Sequence, residues 1–452
     1  MLLNDKMQTE VISWIIEELR STNDFVQKPI SMDEKQGLLL YIKTVVDPIQ
    51  LQEWIIKPFF EMSSENHIAA YLSSLPQQQK IQSKKQMLME MTKGCVVIVI
   101  HNRMFLLDIK KVNTSEVQET GLEQTLQGGN LGLSEDIETN INLIRKRYHQ
   151  PSLLVEMFVI GHKNNQSLAI MYDNETVDQK VLEKVKKKIE SLDKMVIQSS
   201  LQLQLNLNDE KRSLFPTMMI TERTDRIIYN LAGGKIVFIL DGNPFVIMAP
   251  VVFFDFIATA EDTYHSYWVR IFLVLLRYFG LFVCVVLPGL YVAIISFNPE
   301  VLRVELTLAI AGSRIGVPYP SFFEVLFMLI FMELLTEASI RLPKPISATA
   351  TTVGGLILGT AATEAALTSN IMIIIVSAVA ISTFVIPINE MSFSIRIVRF
   401  GILLFATIFG LAGLALASIG FIMYLTSIDS FGQPYLKLFI QRGRSEVQGV
   451  KR

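Results

Sequence analysis

Between Trp268 and Ile428 charged side chains are sparse, and apolar runs long enough to cross a bilayer follow one another. So much contiguous apolar sequence cannot be covered within a soluble fold. In lipid each segment must satisfy its own backbone polar groups, so this half is expected to fold as helices. Up to about Thr217 charge and apolar residues are mixed as in a soluble domain. The expected fold class is an α+β soluble N-terminal region followed by a polytopic all-α membrane domain of about five spans, with four to six possible. Five parts are expected: a helical or irregular region at 1–94, a soluble α+β domain at 95–215, a juxtamembrane coupling segment with a hairpin at 216–267, the transmembrane helices at 268–428, and a basic tail at 429–452.

In the soluble half, Val11, Ile12, Ile15, Ile16 and Leu19 recur at helical spacing. The polar sequence that follows, up to Gln86, reads as further helices and loops. Cys95 to Ile100 is β-branched, and Met104 to Ile109 follows it across His101-Asn102, which predicts a hairpin. Ser134-Glu135-Asp136 stands where a helix cap and acidic first turn belong, ahead of Ile137, Ile141 and Ile144. Leu153 to Ile160 and Ser167 to Tyr172 read as strands, and Val177 to Leu192 as a helix with Val181, Val185 and Ile189 on one face. This order suggests helices covering one face of a mixed sheet. Lys235 to Met248 reads as a second hairpin, turning at Asp241-Gly242.

The candidate spans are Arg270 to Phe297, with a kink expected at Pro288; Tyr319 to Ile340; Ile346 to Leu367; Ile371 to Pro387; and Val398 to Ile428. Val301 to Ile315, with Arg303, Glu305 and Arg314, is too short and charged to cross alone and reads as a surface or re-entrant helix. With the first half in the cytosol, five spans put the Arg341/Lys344 and Arg396/Arg399 loops inside, as the positive-inside rule asks. They also put the basic tail outside, so one apparent span must change the parity or the tail must escape the rule.

The anomaly in the apolar half is Gly316 to Pro345, where carboxylates sit in a membrane-type helix. On a straight helix Glu333, Glu337 and Arg341 form a ladder on one side, with Glu324 on the opposite side. Glu337 and Arg341 are ordered for an ion pair. Glu333 must find a partner helix, a wet cavity or a proton, so it is either half of an interhelical pair or a lining residue of a cation path. The next segment is built from small and hydroxyl residues. Gly355 and Gly359 form a close-packing step, while Thr352, Thr363 and Glu364 outline a candidate pore face. Gly410 and Gly413 repeat the packing theme in the last span. Pro318, Pro320, Pro343 and Pro345 bracket the acidic helix as candidate hinges.

Enzyme signatures are missing from the sequence: there is no phosphate-cradling loop with its lysine, no zinc motif and no nucleophile elbow. The chain reads as a non-enzyme without metal or cofactor. A net charge of −2 and no basic stripe argue against nucleic acid. Cys95 and Cys284 cannot form a disulfide framework. The N-terminus lacks the order of a signal peptide, so the soluble half is expected in the cytoplasm.

Several separated patterns resemble the A-subunit family of GerA-type spore germinant receptors of endospore-forming bacteria. They are Gly132 to Ile141 with Arg145 and Arg147; Thr221-Glu-Arg-Thr-Asp225; Asp241-Gly-Asn-Pro-Phe245; Glu261-Asp262; Pro288-Gly-Leu-Tyr291 with Asn298-Pro-Glu300; Gly316-Val-Pro-Tyr-Pro320; Arg341-Leu-Pro-Lys-Pro345; and Ser430-Phe-Gly-Gln-Pro-Tyr-Leu436. Thr263 departs from the pattern, as does a tail without a proline-rich ending. The resemblance implies a subunit in the spore inner membrane that works with a transporter-like B subunit and a lipoprotein C subunit. It also implies self-assembly into an oligomer that forms or gates a cation channel. The alternatives are a non-conducting scaffold that clusters receptor complexes and, last, a secondary transporter.

Overall fold

The computed structural model describes residues 5–32, 35–81, 83–100, 103–111, 132–161, 163–194, 196–208 and 213–437. The His101-Asn102 turn and the tail beyond Lys437 lie outside the described residues, as do the side chains of Lys344 and Pro345.

Two five-stranded sheets build the soluble half. The strands of the first are β1 (Phe25–Met32), β2 (Lys35–Ile42), β3 (Gln78–Gln79), β4 (Cys95–Ile100) and β5 (Arg103–Asp108), in the order β1-β2-β4-β5-β3. The second contains β6 (Leu153–Ile160), β7 (Gln166–Asp173), β8 (Met219–Thr221), β9 (Ile236–Leu240) and β10 (Val246–Ala249), in the order β6-β7-β9-β10-β8. Every pairing is antiparallel, which corrects the mixed sheet expected. The boundaries expected at 94 and 215 are corrected as well. Gly37 to Leu40 of β2 pair directly with β4 and β1 pairs with β2, and the hairpin expected to couple to the membrane forms the middle of the second sheet through Ala169 opposite Ile239. β1 escapes sequence reading because it is an edge strand, where Lys28 and Pro29 are tolerated.

Helices cover both faces of each sheet, not one. In the first, Val97 and Leu106 face Ile15 and Met91, while Ile98 and Leu107 face Phe59 and Leu72. In the second, Ile170 and Phe238 pack on Val181 and Val185. On the opposite face, Ala169 and Ile239 belong to a core shared with Ile141, Ile227 and residues of the helical half. The sheets are joined at Asp24, whose carboxylate accepts from Arg145 Nε at 2.8 Å and from the Thr22 and Thr44 hydroxyls at 2.6 and 2.7 Å. Burial alone would raise the Asp24 pKa, but the Arg145 guanidinium and the two hydroxyls outweigh it and hold the carboxyl below its ordinary range.

The helical half contains α1 (Tyr267–Phe297), α2 (Val304–Ser313), α3 (Ser321–Arg341), α4 (Lys344–Glu364), α5 (Asn370–Phe384) and α6 (Asn389–Ser427). Among the described residues three helices are long and apolar enough to cross a membrane: Tyr267–Phe297, Ile346–Glu364 and Asn389–Ser427. α3 carries four charged side chains, and α5 has only 15 residues. α1 continues through Pro288 for 31 residues.

The last helix is not the single pass expected from Val398 to Ile428. Gly410 has φ 60° and ψ −140°, and the chain reverses there. Ser394 donates to the Leu214 carbonyl at 2.6 Å, and the Tyr424 hydroxyl accepts from the Leu214 amide at 3.0 Å. A straight helix would hold residues 394 and 424 about 45 Å apart. Residues 389–409 therefore run away from the sheets and 411–427 return, with Gly410 against the Phe297 ring at the far end of α1. The passes 267–297, 321–341, 344–364, 370–384, 389–409 and 411–427 alternate in direction, and the chain comes back to the sheets. Tyr435 is fully buried there among Phe215, Phe253 and Phe256, and its carbonyl accepts from the Phe253 amide at 3.0 Å. Residues 389–427 thus make two helical passes where one was expected.

Candidate functional site

Glu333 lies between two arginines of α6. Its Oε2 accepts from Arg396 Nη1 at 3.1 Å, and its Oε1 accepts from Arg399 Nη2 in a shorter contact. Arg399 is fully buried and its Nη1 also reaches Cys284 Sγ of α1. Arg396 and Arg399, expected in a cytosolic loop, are thus inside a helix and tie α3 to α6. Glu337 pairs with Arg341 at 2.6 Å in an exposed position.

Glu324, on the opposite face of α3, is completely buried. One oxygen accepts from the Ser369 amide at 2.7 Å, the Ser369 hydroxyl at 2.5 Å and the Thr368 hydroxyl at 3.3 Å; the other lies 3.2 Å from Arg314 Nε. The carboxylate thus sits at the N-terminus of α5, where the exposed backbone N–H groups favour an anion. Arg314 follows α2, a short and mostly exposed helix whose one buried residue is Ile310. Arg314, Arg396, Arg399 and Ser369 were not singled out as partners for the acids. Their signal was available: a buried carboxylate demands a counter-charge, and these arginines are among the few cations in the apolar half.

The hydroxyl-rich α4 has a different environment. Among its described side chains only Ala362 is buried. Thr352 is exposed and Thr363 partly so; both donate to backbone carbonyls one turn earlier, Ala348 and Gly359. Glu364 is exposed. The Gly354–Gly355 side packs on Leu335 of α3, whereas a side chain added at Gly359 would meet nothing within 4 Å. Pro320 and Pro343 cap α3 and α4, and Pro318 lies in the connection before α3. At Gly413 an added side chain would collide with the Phe405 carbonyl of the facing pass, as a tight reversal requires.

Ion pairs hold the connection between the second sheet and α1. Asp262 accepts from Arg277 of α1 at 2.6 and 2.8 Å. Burial opposes ionisation of Asp262, yet Arg277 holds its carboxyl below the ordinary range. Lys235, the residue before β9, bonds Asp255 at 2.6 Å, and burial pushes its ammonium below the usual lysine range against the pull of that carboxylate. Among the described residues no cluster of three or more metal-ligating side chains occurs.

A family model described as Bacillus/Clostridium GerA spore germination protein matches residues 13–450. The chain is 34% identical over 330 residues to Spore germination protein B1 of Bacillus subtilis (strain 168), covering 73% of this chain and 68% of that one. It is 31% identical over 430 residues to Spore germination protein KA of the same organism, with 93% and 79% covered. To Spore germination protein GerLA of Bacillus cereus it is 29% identical over 436 residues, with 94% and 89% covered. Among solved structures it is similar, at 21% identity and a TM-score of 0.42, to the crystal structure of the N-terminal domain of the A subunit of the Bacillus megaterium spore germinant receptor GerK3, with 54% of this chain and 95% of that chain covered.

Proposed function

The chain belongs to the GerA spore germination protein family, and on that basis we propose that it is the non-enzymatic A subunit of a nutrient germinant receptor in the spore inner membrane. In this reading its sheets face the cytoplasm, a transporter-like B subunit and a lipoprotein C subunit accompany it, and several copies assemble around a cation path that they form or gate. The observation that carries the channel reading is the exposure of α4, a helix of small and hydroxyl residues of whose described side chains only Ala362 is buried. A helix of that composition, packed on α3 along one side, is suited to packing against copies of itself and presenting Thr352 and Thr363 to an ion. Glu364 stands at its far end, and Glu333 supports the path from behind as the anchor of α3. Purified receptor in a planar bilayer is expected to pass a cation current on adding nutrient, and Thr352→Leu to reduce that current strongly with receptor abundance unchanged. A current unaffected by Thr352→Leu would remove α4 from the path.

A second reading is a non-conducting scaffold that relays the signal while another subunit conducts. It is favoured by the pairing of Glu324 and Glu333 with arginines, which leaves neither carboxylate free for a permeant cation. No current from the assembled receptor would support it.

A further inference from the structure

A cavity of about 110 Å³ lies where the second sheet meets the helical half. One wall comes from the sheet: Ile220 and Glu222, at and just after the edge strand β8, and Phe245 from the turn before β10. The opposite wall is Pro387 to Glu390, the turn between α5 and α6 with the first two residues of α6. The exposed Asn389 stands at its rim. At roughly 30 Å³ per molecule, the space equals about four waters.

The charge in this cavity is of one sign. Glu222 is 8% exposed, and Glu390 is partly buried. Glu390 Oε2 accepts from Gln204 Nε2 at 3.3 Å, a neutral donor, and among the described residues no cation pairs with this carboxylate. None of the described residues that line the cavity is basic. Ile220, Phe245, Pro387 and Ile388 supply apolar surface between the acids, and walls of low polarity focus a negative field inside the space they enclose. Such a site attracts a positive charge. Two carboxylates are few for a calcium-type ion, which takes about six to eight oxygens, and the apolar walls suit carbon rather than a hydration shell. A zwitterion is disfavoured too, because no positive group awaits its carboxylate.

We infer that this cavity is a binding site for a small aliphatic ammonium compound, whose charged end is held by Glu390 and Glu222 and whose carbon chain lies against Ile220, Phe245 and Ile388. Because one acid belongs to the sheet and the other to α6, the bound cation ties the edge of the sheet to the start of that helix. The site is independent of whether the chain conducts.

The test uses the full chain in detergent at pH 7 and constant ionic strength, titrated calorimetrically with n-propylamine, n-propanol, glycine or calcium chloride, with the thermal midpoint as a second readout. Propylamine is expected to bind saturably and raise the midpoint, whereas the alcohol of the same shape, the zwitterion and the metal are not. Glu390→Gln should weaken propylamine binding about tenfold, the loss of one charged hydrogen-bond partner. Glu390→Asp keeps the charge but draws it back by one methylene, so it should bind a few-fold more weakly, which carries the test if the glutamine variant fails to fold. Unchanged affinity in either variant would overturn the site, as would propanol binding as well as propylamine. Preference for calcium would overturn the ligand class, and glycine matching propylamine would overturn the exclusion of a carboxylate on which that class rests.

Discussion

At the scale of single residues, the acids of α3 separate by what surrounds them. Glu333 is the counter-ion of a fully buried arginine, so Glu333→Gln leaves Arg399 without compensation and should destabilise the chain by about 3–5 kcal/mol. Glu337→Gln removes one side of an exposed i,i+4 pair and should cost under about 1 kcal/mol. Unfolding of the two variants in detergent checks the contrast, and equal losses would sink it. Asp24 has a pH signature. Its carboxyl titrates lower in the folded chain than the ordinary unfolded value of about 3.9, so its contribution is fully present above that value and lost as pH falls through the lowered native one. Stability of the soluble half should therefore decline at the acidic end less steeply in Asp24→Asn than in the unmodified chain, from a lower starting point. Cys95 is buried in β4, and burial together with Asp108 and Glu90 pushes its thiol up to about 12. The native chain should leave Cys95 unmodified by a thiol reagent at pH 8 and expose it only on unfolding, read by mass spectrometry. The Glu337–Arg341 pair was legible in the sequence because both partners lie on one helix. The partners of Glu324 and Glu333 were not, because Ser369, Arg396 and Arg399 reach them only through the packing of different helices.

At the scale of elements, apolar periodicity located most of the helices and the β4–β5, β6–β7 and β9–β10 hairpins, since each rests on local pattern and turn chemistry. What local pattern could not carry was reversal inside a continuous apolar run. Nothing polar marks Gly410, and Phe409 and Leu411 on either side of it suit a membrane helix. Its backbone angles lie in a region that only glycine populates readily, and an added Cβ would stand 2.9 Å from the Phe297 ring. Gly410→Ala should thus open the hairpin and cost several kcal/mol, seen as loss of folded protein in detergent, whereas Gly359→Ala, in open space, should be nearly neutral in the isolated chain. The hairpin places Lys437 on the sheet side. A reporter fused after it should share the compartment of the soluble half, and opposite compartments would contradict the reversal.

At the scale of the whole molecule, the two halves form one mechanical unit. The core of the second sheet continues into α1 and α6, Arg277 is clamped to Asp262, and the returning chain seats Tyr435 beneath the sheet. α4 stands apart, touching mainly α3 through the Gly354–Gly355 side. A movement of the sheets would reach α6 through Ser394 and Leu214, pass to α3 through Glu333, and so shift α4, the helix proposed to line the path. The direct test is Thr352→Cys in the assembled receptor in a planar bilayer, exposed to a positively charged methanethiosulfonate reagent during the nutrient response. The account predicts that the cation current falls on modification and recovers when the adduct is reduced. A current that persists unchanged, with Thr352→Cys shown to be labelled, would contradict it.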